Sequence, residues 1–517
     1  MKPRFLATLV LVLFMGLTVP VWGGPSTEDP DLPVILAQKI AKLPRERLRR
    51  IIFIEPDGAG LKVAGTASVL NSIIQKAGGL TPEGLGAREF EPLTVATWGQ
   101  LKPEALVIRT KDRAAVKKFL AQRTWRNAPA VKNGQIWDFP DGLVDVAQDH
   151  QSYFSAWLAG TLYPDEFGRP ENLVRPQEKL SAKPLKLAMP YVENASIVDS
   201  RLLDFVHRSL VIRFKRPQDV ISTASGAIKG VEAVGNSYSP APTWPIYHQV
   251  GFDGSMNRLH EVLGLSADKA ALLGTGADLN NLVVTTREYQ DLVVTSLITA
   301  GVEGNAIRAG SDEGAFMEPG TINIIVLANR RLSPGAMANA IIYITEAKTA
   351  ALWEMDIRSV QTGLENPATG TGTDSIVVVS GEGKKATYSG GHTKLGQLIA
   401  EVVKTGVIEA INRQNGKTRQ RTVQKRLAER GLYYPELATL LEIPRYQGFM
   451  ELAFSLSDAH RFGQAVDLTA FESLALLVAG EIAGKPIQKL DPPEKGSKTP
   501  VPLSMALGAL LKGKKNR

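Results

Sequence analysis

Two hydrophobic patterns alternate along this chain of 517 residues. Short unbroken apolar runs between turn residues predict buried strands, because a strand covered on both faces leaves no position for polar side chains. Longer stretches with apolar residues three or four positions apart predict helices that pack by one face. The predicted strands are residues 51–54, 106–108, 209–214, 282–286, 292–298, 321–327 and 375–380, and the predicted helices are residues 68–77, 114–120, 335–355 and a stretch beginning near Thr393.

The mixture of these elements predicts an α/β fold in more than one domain. A chain of this length exceeds what a single hydrophobic core usually accommodates. Segments rich in proline and charge, at 164–190 and 486–502, are typical of linkers. The predicted division is a leader at 1–23, an α/β lobe at 33–167, a linker at 168–195, a mixed α/β (or α+β) domain at 196–412, a helical extension at 413–485, and a linker with a basic tail at 486–517.

The N-terminus has the order of a secretory signal. Lys2 and Arg4 precede an apolar run at 5–19, Pro20 interrupts it, and small residues follow, so cleavage is expected after Gly23. The alternative is a membrane anchor, but the run is shorter than the ~20 residues that a spanning helix needs. We therefore predict a periplasmic protein without a membrane span in its mature chain.

Charge and cysteine content exclude several classes of function. The formal net charge is +8, and the densest basic run, residues 418–430, has an alternation suited to a solvated helix or connector. A nucleic-acid partner is therefore not predicted. The absence of cysteine excludes a thiol nucleophile, a thiolate metal site and disulfides, and is consistent with a bacterial periplasm.

The stretch ATGTGTDSIVVVSG, at 368–381, joins a glycine–threonine alternation to an acidic residue and a strand. The strand at 375–380, a turn around Gly383 and a returning strand at 386–389 predict a β-hairpin. No helix follows these glycines directly, so the stretch is not predicted to bind phosphate as a glycine-rich loop would.

In the register of that hairpin, Asp374 lies opposite His392, which precedes the helix near Thr393. A carboxylate can orient an imidazole that activates water, while the N–H groups of a helix N-terminus stabilise an oxyanion. The alternative is structural: an aspartate at a strand entry often caps a turn, and a threonine or histidine before a helix is often only a cap.

Three segments of the N-terminal lobe resemble the C-terminal half of periplasmic binding proteins of the cobalamin and iron-siderophore class. The resemblance implies a three-layer α/β lobe, although the first lobe of that family is missing. Gly99 also replaces an acidic residue with which many members dock on a membrane permease, so an ABC importer is only a candidate partner. The lobe either forms half a cleft with the following domain or is a relic. The segments are GTASVLNSIIQKAGG, QLKPEALVI and WRNAPAVKNGQIWDFP.

Five motifs between residues 200 and 410 resemble, in one order, the adenosylcobinamide amidohydrolase family. The resemblance implies hydrolysis of the amide that joins the f side chain of the corrin ring to aminopropanol, with cobinamide as substrate and cobyric acid as product. It implies no cofactor. The motifs are VTSLITAGVEGNAIRAG, TINIIVL, ITEAKTAAL, ATGTGTDSIVV and SGGHTKLGQLI.

Four polar residues in these motifs are candidate substrate-binding residues. Asn305 follows a strand in a glycine-flanked loop, where its amide could hold a substrate amide; the alternative is a turn residue. Thr371 and Thr373 could donate hydroxyl groups to propionamide side chains or to the scissile carbonyl, or could only shape the loop. Lys394 lies in the last motif.

Glu346 and Lys348 lie within the predicted helix at 335–355. Helical spacing places Glu346 on one face with Ile342, Thr349 and Trp353, which suggests either a catalytic base or a buried ion-pair member. Lys348 is a further substrate-binding candidate, although by itself it is expected to be exposed.

The resulting hypothesis is a hydrolase in which water attacks the amide directly. His392 or Glu346 is the base, Asp374 orients it, and threonine and helix-terminal donors stabilise the oxyanion. A threonine acyl-enzyme is the alternative mechanism. A metal held by Asp374, His392 and Glu346 is disfavoured, because no spacing typical of metal ligands accompanies them. The alternative function is a non-catalytic corrinoid-binding protein that delivers its ligand to a cobalamin-type ABC importer.

Overall fold

The computed structural model describes residues 31–58, 60–109, 112–139, 151–314, 321–363, 366–419 and 421. The predicted leader at 1–23, all of the predicted helical extension beyond residue 421, and the tail at 486–517 lie outside these residues. The chain divides into two compact units, the first formed by residues 1–304, 317–348 and 373–416 and the second by residues 305–316, 349–372 and 417–517.

The helices and strands follow the predicted order closely. Within the described ranges, no helix is long and apolar enough to cross a membrane. The helices are α1 Leu32–Ala41, α2 Val69–Lys76, α3 Val95–Leu101, α4 Arg113–Leu120, α5 Pro129–Lys132, α6 Gln151–Leu162, α7 Pro164–Gly168, α8 Trp244–Val250, α9 Phe252–Leu263, α10 Pro334–Glu354 and α11 Lys394–Asn415. The strands are β1 Ile51–Asp57, β2 Gly60–Ala64, β3 Phe90–Pro92, β4 Ala105–Arg109, β5 Ile136–Phe139, β6 Glu178–Pro184, β7 Val192–Leu202, β8 Phe205–Ser222, β9 Gly226–Tyr238, β10 Ala270–Thr275, β11 Val283–Tyr289, β12 Leu292–Ala300, β13 Ala306–Ile307, β14 Ile322–Ala328, β15 Arg330–Leu332, β16 Gly370–Thr371, β17 Ser375–Val379 and β18 Lys384–Ala386.

The N-terminal lobe contains a five-stranded sheet in the order β3-β2-β1-β4-β5. Strands β1, β4 and β5 are parallel, whereas β2 pairs antiparallel with β1. Successive residues of β1 point to opposite faces, and both faces are covered: Ile51 and Phe53 belong to one hydrophobic cluster, Ile52 and Ile54 to another. This two-sided burial explains the unbroken apolar run IIFI and confirms the mixed α/β fold class.

A larger, nine-stranded sheet follows, with the order β10-β9-β8-β17-β14-β12-β11 and with β6 and β7 beside the first half of β8. Strand β8 is long enough to pair with β7 through its first half and with β17 through its last residues. Helix α11 packs on β11 and β12, and Gly406 allows the close approach, because a Cβ there would lie 2.8 Å from Cδ1 of Ile298. The predicted apolar stripe of this helix is buried, from Leu395 to Val407.

Helix α6 joins the N-terminal lobe to the larger sheet and is buried on all sides. Its residues from Tyr153 to Leu162 are all buried. Phe154 and Trp157 share one hydrophobic cluster with Leu202 and Phe205 of the β7–β8 hairpin. The predicted lobe and the predicted following domain therefore have a common core within the first unit.

A buried ion pair reinforces this junction. Nζ of Lys39, on α1, lies 2.8 Å from Oδ2 of Asp204, and the two side chains are 4% and 1% exposed. Asp204 occupies the two-residue turn between β7 and β8, where Leu203 and Asp204 both have positive φ, as a type I′ turn requires. Burial lowers the pKa of Lys39, and the hydrogen bond to Asp204 opposes that shift.

The predicted linker at 168–195 contains an ordered strand that the sequence pattern does not reveal. Strand β6 pairs antiparallel with β7 and is exposed along almost its whole length. Its lysines and terminal Pro184 are typical of an edge strand protected against further pairing, and such strands lack the apolar alternation that reveals inner ones.

The predicted hairpin centred on Gly383 is wrong. Strand β17 is paired on one side with β14, in parallel, and on the other with β8, so no edge remains for a returning strand. The chain leaves the sheet at Gly381, which has φ +67, and β18 pairs in parallel with β15 instead. Asp374 and His392 are therefore not opposite each other in a hairpin.

Gly160 provides a test of the shared core. It lies in α6, where a Cβ would be 2.7 Å from the carbonyl oxygen of Pro242. Gly160→Ala should lower the free energy of unfolding by about 1–3 kcal/mol, because the helix must move away from residues 241–243. In the matched helical variant Gly99→Ala, the new methyl group meets open space, and helix propensity alone should raise the free energy of unfolding by about 0.5–1 kcal/mol. Urea unfolding measures both, and equal effects would contradict the shared core.

His207 is a fully buried histidine beside the same junction. One ring nitrogen, Nδ1, lies 3.1 Å from the carbonyl oxygen of Phe205, which can only accept, so Nδ1 carries the proton. Nε2 then accepts a hydrogen bond from the hydroxyl group of Tyr247 at 2.6 Å. Burial lowers the pKa of His207 to about 4, so the ring is neutral at physiological pH.

This histidine should make stability depend on pH. In the unfolded chain the imidazole binds a proton near pH 6.5, and in the folded chain only near pH 4, so acid favours unfolding between these values. The contribution of neutral His207 to the free energy of unfolding is fully present above pH 6.5. As the pH drops towards 4, the free energy of unfolding should fall by about 3 kcal/mol. His207→Phe should remove this part of the pH dependence in urea unfolding, whereas replacing the exposed His248 by Phe should retain it.

Candidate active site

A buried ion pair joins helix α10 to the entry of strand β17. The ammonium group of Lys348 contacts Oδ2 of Asp374, and the two side chains are only 8% and 12% exposed. Lys348 lies on the buried face of α10, one turn after Ile344 and next to Ala347. A lysine in this position requires a negative partner, because an unpaired buried charge is strongly destabilising.

The Asp374 carboxylate also contacts the backbone of the neighbouring strand. Its Oδ1 accepts a hydrogen bond from the N–H of Ile322 at 3.1 Å, at the start of β14. Because β14 and β17 are parallel, with Asn323 opposite Ser375, both strands enter the sheet at this edge. A backbone N–H and an ammonium group together fix the orientation of the carboxylate.

A second contact holds the residue before Asp374. The hydroxyl group of Thr321 donates to the carbonyl oxygen of Thr373 at 2.7 Å and lies 3.1 Å from Oδ1 of Asn323. Thr321 and Asn323 are 3% and 1% exposed, whereas Thr373 is exposed. The buried Thr321 thus fixes the backbone at Thr373, whose own side chain is exposed.

Asn323 connects this edge to the far strands of the larger sheet. Its Nδ2 donates to Oδ1 of Asn236, on β9, and to the carbonyl oxygen of Gly274, on β10, each at 2.8 Å. Nδ2 of Asn236 donates in turn to Oγ1 of Thr299 at 2.8 Å. The sheet therefore curves enough to bring β9 and β10 against β14, and buried amides fill the space between them.

His392 does not join this cluster. It is exposed in the loop before α11, and among the described residues no hydrogen bond or ion pair reaches its ring. Thr393 caps the helix instead, with Oγ1 accepting from the N–H of Gly396 at 3.0 Å. A catalytic role for His392 stays a prediction.

The expectations for the two charged residues of α10 are reversed. Glu346 is exposed, so it is not a buried ion-pair member, and Lys348 is buried rather than solvent-exposed. The signal that would have identified Lys348 is its place in the apolar stripe, since Ala340, Ile344 and Lys348 recur every four residues. Lys394 is also exposed, with its ammonium group 4.5 Å from the centre of the Tyr289 ring.

Two predicted substrate-binding residues belong to the second unit. Asn305 and Thr371 are buried, and β13 pairs antiparallel with β16 so that Ala306 lies opposite Thr371. Oδ1 of Asn305 lies 3.3 Å from the backbone N–H of Gly372, which the side chain therefore helps to hold. This contact supports the structural alternative for Asn305, and substrate binding by both residues stays a prediction.

The second unit also contains a carboxylate held by hydroxyl groups. Asp312 accepts hydrogen bonds from Ser359 at 2.7 Å, from Thr362 at 2.5 Å and from the N–H of Arg308 at 2.6 Å. Burial acts to raise the pKa of Asp312, but these donors together hold it below its ordinary value. Asp312 therefore organises its loop as an anion.

Clusters of three or more His, Asp or Glu side chains that could hold a metal ion do not occur in the part of the chain that the structure describes. Metal independence stays a prediction.

Comparison with known protein sequences identifies the family of this chain. The sequence profile of the adenosylcobinamide amidohydrolases matches residues 192–419. An uncharacterised protein of Methanocaldococcus jannaschii is 42% identical over 226 residues, which cover 40% of this chain and 87% of that protein. The chain belongs to the adenosylcobinamide amidohydrolase family.

A second relative carries the family's name. The adenosylcobinamide amidohydrolase of Methanosarcina mazei is 34% identical over 146 residues, which cover 25% of this chain and 64% of that enzyme. The matched region, 192–419, contains both members of the Lys348–Asp374 pair.

Solved structures of periplasmic binding proteins are similar to the N-terminal part of the chain. The periplasmic haem-binding protein BhuT has 22% identity and a TM-score of 0.21, and HutB of Vibrio cholerae has 20% identity and a TM-score of 0.23. Each similarity covers 25% of this chain and 53% of the other. This chain thus spans about half the length of these solved structures.

Asn323 provides a test of how this edge of the larger sheet is held. Asn323→Leu has a similar volume but leaves the side-chain oxygen of Asn236 and the carbonyl of Gly274 without this donor. We expect the free energy of unfolding to fall by about 2–3 kcal/mol in urea denaturation. The control Asn194→Leu changes an exposed asparagine and should shift stability by no more than about 0.5 kcal/mol. Equal, small effects would mean that the buried amides do not hold this edge.

Proposed function

We propose that this protein hydrolyses the amide between the f side chain of the corrin ring and aminopropanol in cobinamide or adenosylcobinamide, releasing the corresponding cobyric acid. The family relationship supports the reaction class. The observation that carries the proposal is the buried Lys348–Asp374 pair, which lies within two of the motifs that resemble this family.

The pair offers the two functions that amide hydrolysis requires. An ammonium group has three N–H donors, and Asp374 occupies only part of them, so Lys348 can donate to the substrate carbonyl oxygen and stabilise the developing oxyanion. Asp374 holds the ammonium group and accepts a proton from the attacking water. This proton passes to the amine as the C–N bond breaks, so that aminopropanol leaves and a carboxylate remains on the corrin.

In this scheme Asp374 is better placed than His392 or Glu346 to meet the attacking water beside Lys348. Both of those residues are exposed, whereas the Asp374 side chain is 12% exposed and lies next to the ammonium group and the N–H of Ile322. The exposed Thr373 precedes it and remains the candidate hydroxyl group for binding the substrate amide.

We further propose that the reaction takes place in the periplasm. The order of charged, apolar and small residues before Gly23 supports export, as does the lack of cysteine in the whole chain. Substrate at that location would be exogenous corrinoid, and a cobalamin-type ABC importer is the natural recipient of the product.

Measurement of aminopropanol release from cobinamide tests the proposed function. The protein should release aminopropanol, and Asp374→Asn and Lys348→Met should each reduce kcat at least about 100-fold, because each removes a group that acts on the reacting atoms. Binding of cobinamide without release by the unmodified protein would favour the non-catalytic corrinoid carrier.

Two further variants separate catalysis from stability. Lys39→Met breaks the other buried Lys–Asp pair, and should lower the free energy of unfolding by about 3–5 kcal/mol while retaining kcat. The double variant Lys348→Met, Asp374→Asn removes both charges, and should recover stability relative to Lys348→Met without recovering the rate. A double variant with normal kcat would show that the pair is only structural.

A further inference from the structure

An aromatic surface surrounds the loop that leads into α11. Tyr388 and Ile342 are 50% and 53% exposed, although both are large apolar side chains, and Tyr343, which follows Ile342 on α10, is partly buried. His392 is exposed in the same loop. These four residues are called the tyrosine–histidine patch below.

Gly390 and Gly391 hold the patch together. A Cβ on Gly391 would lie 2.7 Å from Cε1 of Tyr343, and one on Gly390 would lie 2.7 Å from Cε1 of Tyr388. Both rings therefore rest directly on the backbone that precedes His392. Consecutive Cα atoms are about 3.8 Å apart, and His392 directly follows Gly391. The His392 side chain therefore leaves the backbone next to the residues that the two rings contact.

The imidazole of His392 has no structural task that the described residues reveal. Thr393 provides the cap of α11, through the N–H of Gly396, and its hydroxyl group donates to the carbonyl oxygen of Gly390 at 2.8 Å. Among the described residues, none forms a hydrogen bond or ion pair with the His392 ring. An exposed apolar patch with a free histidine is a typical ligand-binding arrangement.

The substrate of the proposed function has a matching chemistry. A corrin ring presents a broad apolar face, which tyrosine rings can cover, and amide side chains at its rim, which tyrosine hydroxyl groups can bind. Cobinamide lacks the nucleotide base that occupies one axial position of cobalt in complete cobamides. That position holds an exchangeable water, and imidazole nitrogen is a good ligand for such a metal.

We propose that the tyrosine–histidine patch binds the corrin ring of the substrate and that His392 coordinates its cobalt on the face without a base. The inference rests on the proposed function, since it takes cobinamide as the ligand. An imidazole nitrogen donates its lone pair to cobalt and the bound water leaves, with no change of oxidation state. His392 is therefore a substrate-binding residue, and its ligation prefers incomplete corrinoids over complete cobamides, in which the base already occupies that position.

Visible absorption spectroscopy of diaquocobinamide tests the coordination. Replacement of water by imidazole changes the cobalt absorption bands, so titration with the protein should give a saturable spectral shift. His392→Ala should lose the shift. The exposed His248 serves as the matched control, because His248→Ala should retain the shift.

Binding measurements provide a second readout. Equilibrium dialysis should show that His392→Ala binds diaquocobinamide about tenfold or more weakly. Dicyanocobinamide, with both axial positions occupied, should bind the unmodified protein correspondingly weakly and should bind His392→Ala equally well. Tyr388→Ala should weaken both corrinoids alike, because it removes contact with the ring and not with the metal.

The outcomes separate this inference from the proposed function. If aminopropanol is released but binding leaves the spectrum unchanged, or if the shift persists in His392→Ala, the coordination is wrong and the hydrolase function stands. If the shift depends on His392 but no aminopropanol is released, the coordination stands and the hydrolase function fails. If diaquocobinamide does not bind at all, both are overturned.

Discussion

The buried ammonium group of Lys348 is the constraint on which the candidate site depends. A charge in the apolar stripe of α10 is tolerated only when an anion meets it, and Asp374 is held at the required place by the entry of β17. The position of that entry depends in turn on the start of β14, where the N–H of Ile322 and the hydroxyl group of the preceding Thr321 contact the Asp374 segment. The Asp374 carboxylate thus connects helix α10 to the entries of two parallel strands.

Local patterns predict the helices and strands well, because the spacing of apolar residues follows which side chains are buried. The stripe from Leu395 to Val407 and the apolar run of β1 both lie in the core, as their spacing indicates. Strand pairing was predicted less well. The hairpin at Gly383 is plausible from sequence alone, but β17 has its two neighbours in β8 and β14, which are distant in sequence, and no local signal reveals them.

In the candidate site, too, local patterns reveal some features, and others depend on contacts between distant parts of the chain. The motif alone marks Asp374 as a candidate, whereas the register of the predicted hairpin pairs it with His392 instead of Lys348. The ion pair joins helix α10 to the entry of strand β17, and only the tertiary fold brings these elements together. The sequence does contain a signal for Lys348. A lysine within an apolar stripe is expected to have a buried negative partner, whereas an exposed Glu346 is not.

The shared core of α6 with the β7–β8 hairpin has a consequence for any attempt to separate the two parts. Once their apolar side chains are packed together, neither part can be removed alone without exposing the other, because Leu202 and Phe205 would then face water. A chain shortened on either side of this core should therefore aggregate through the newly exposed apolar surface.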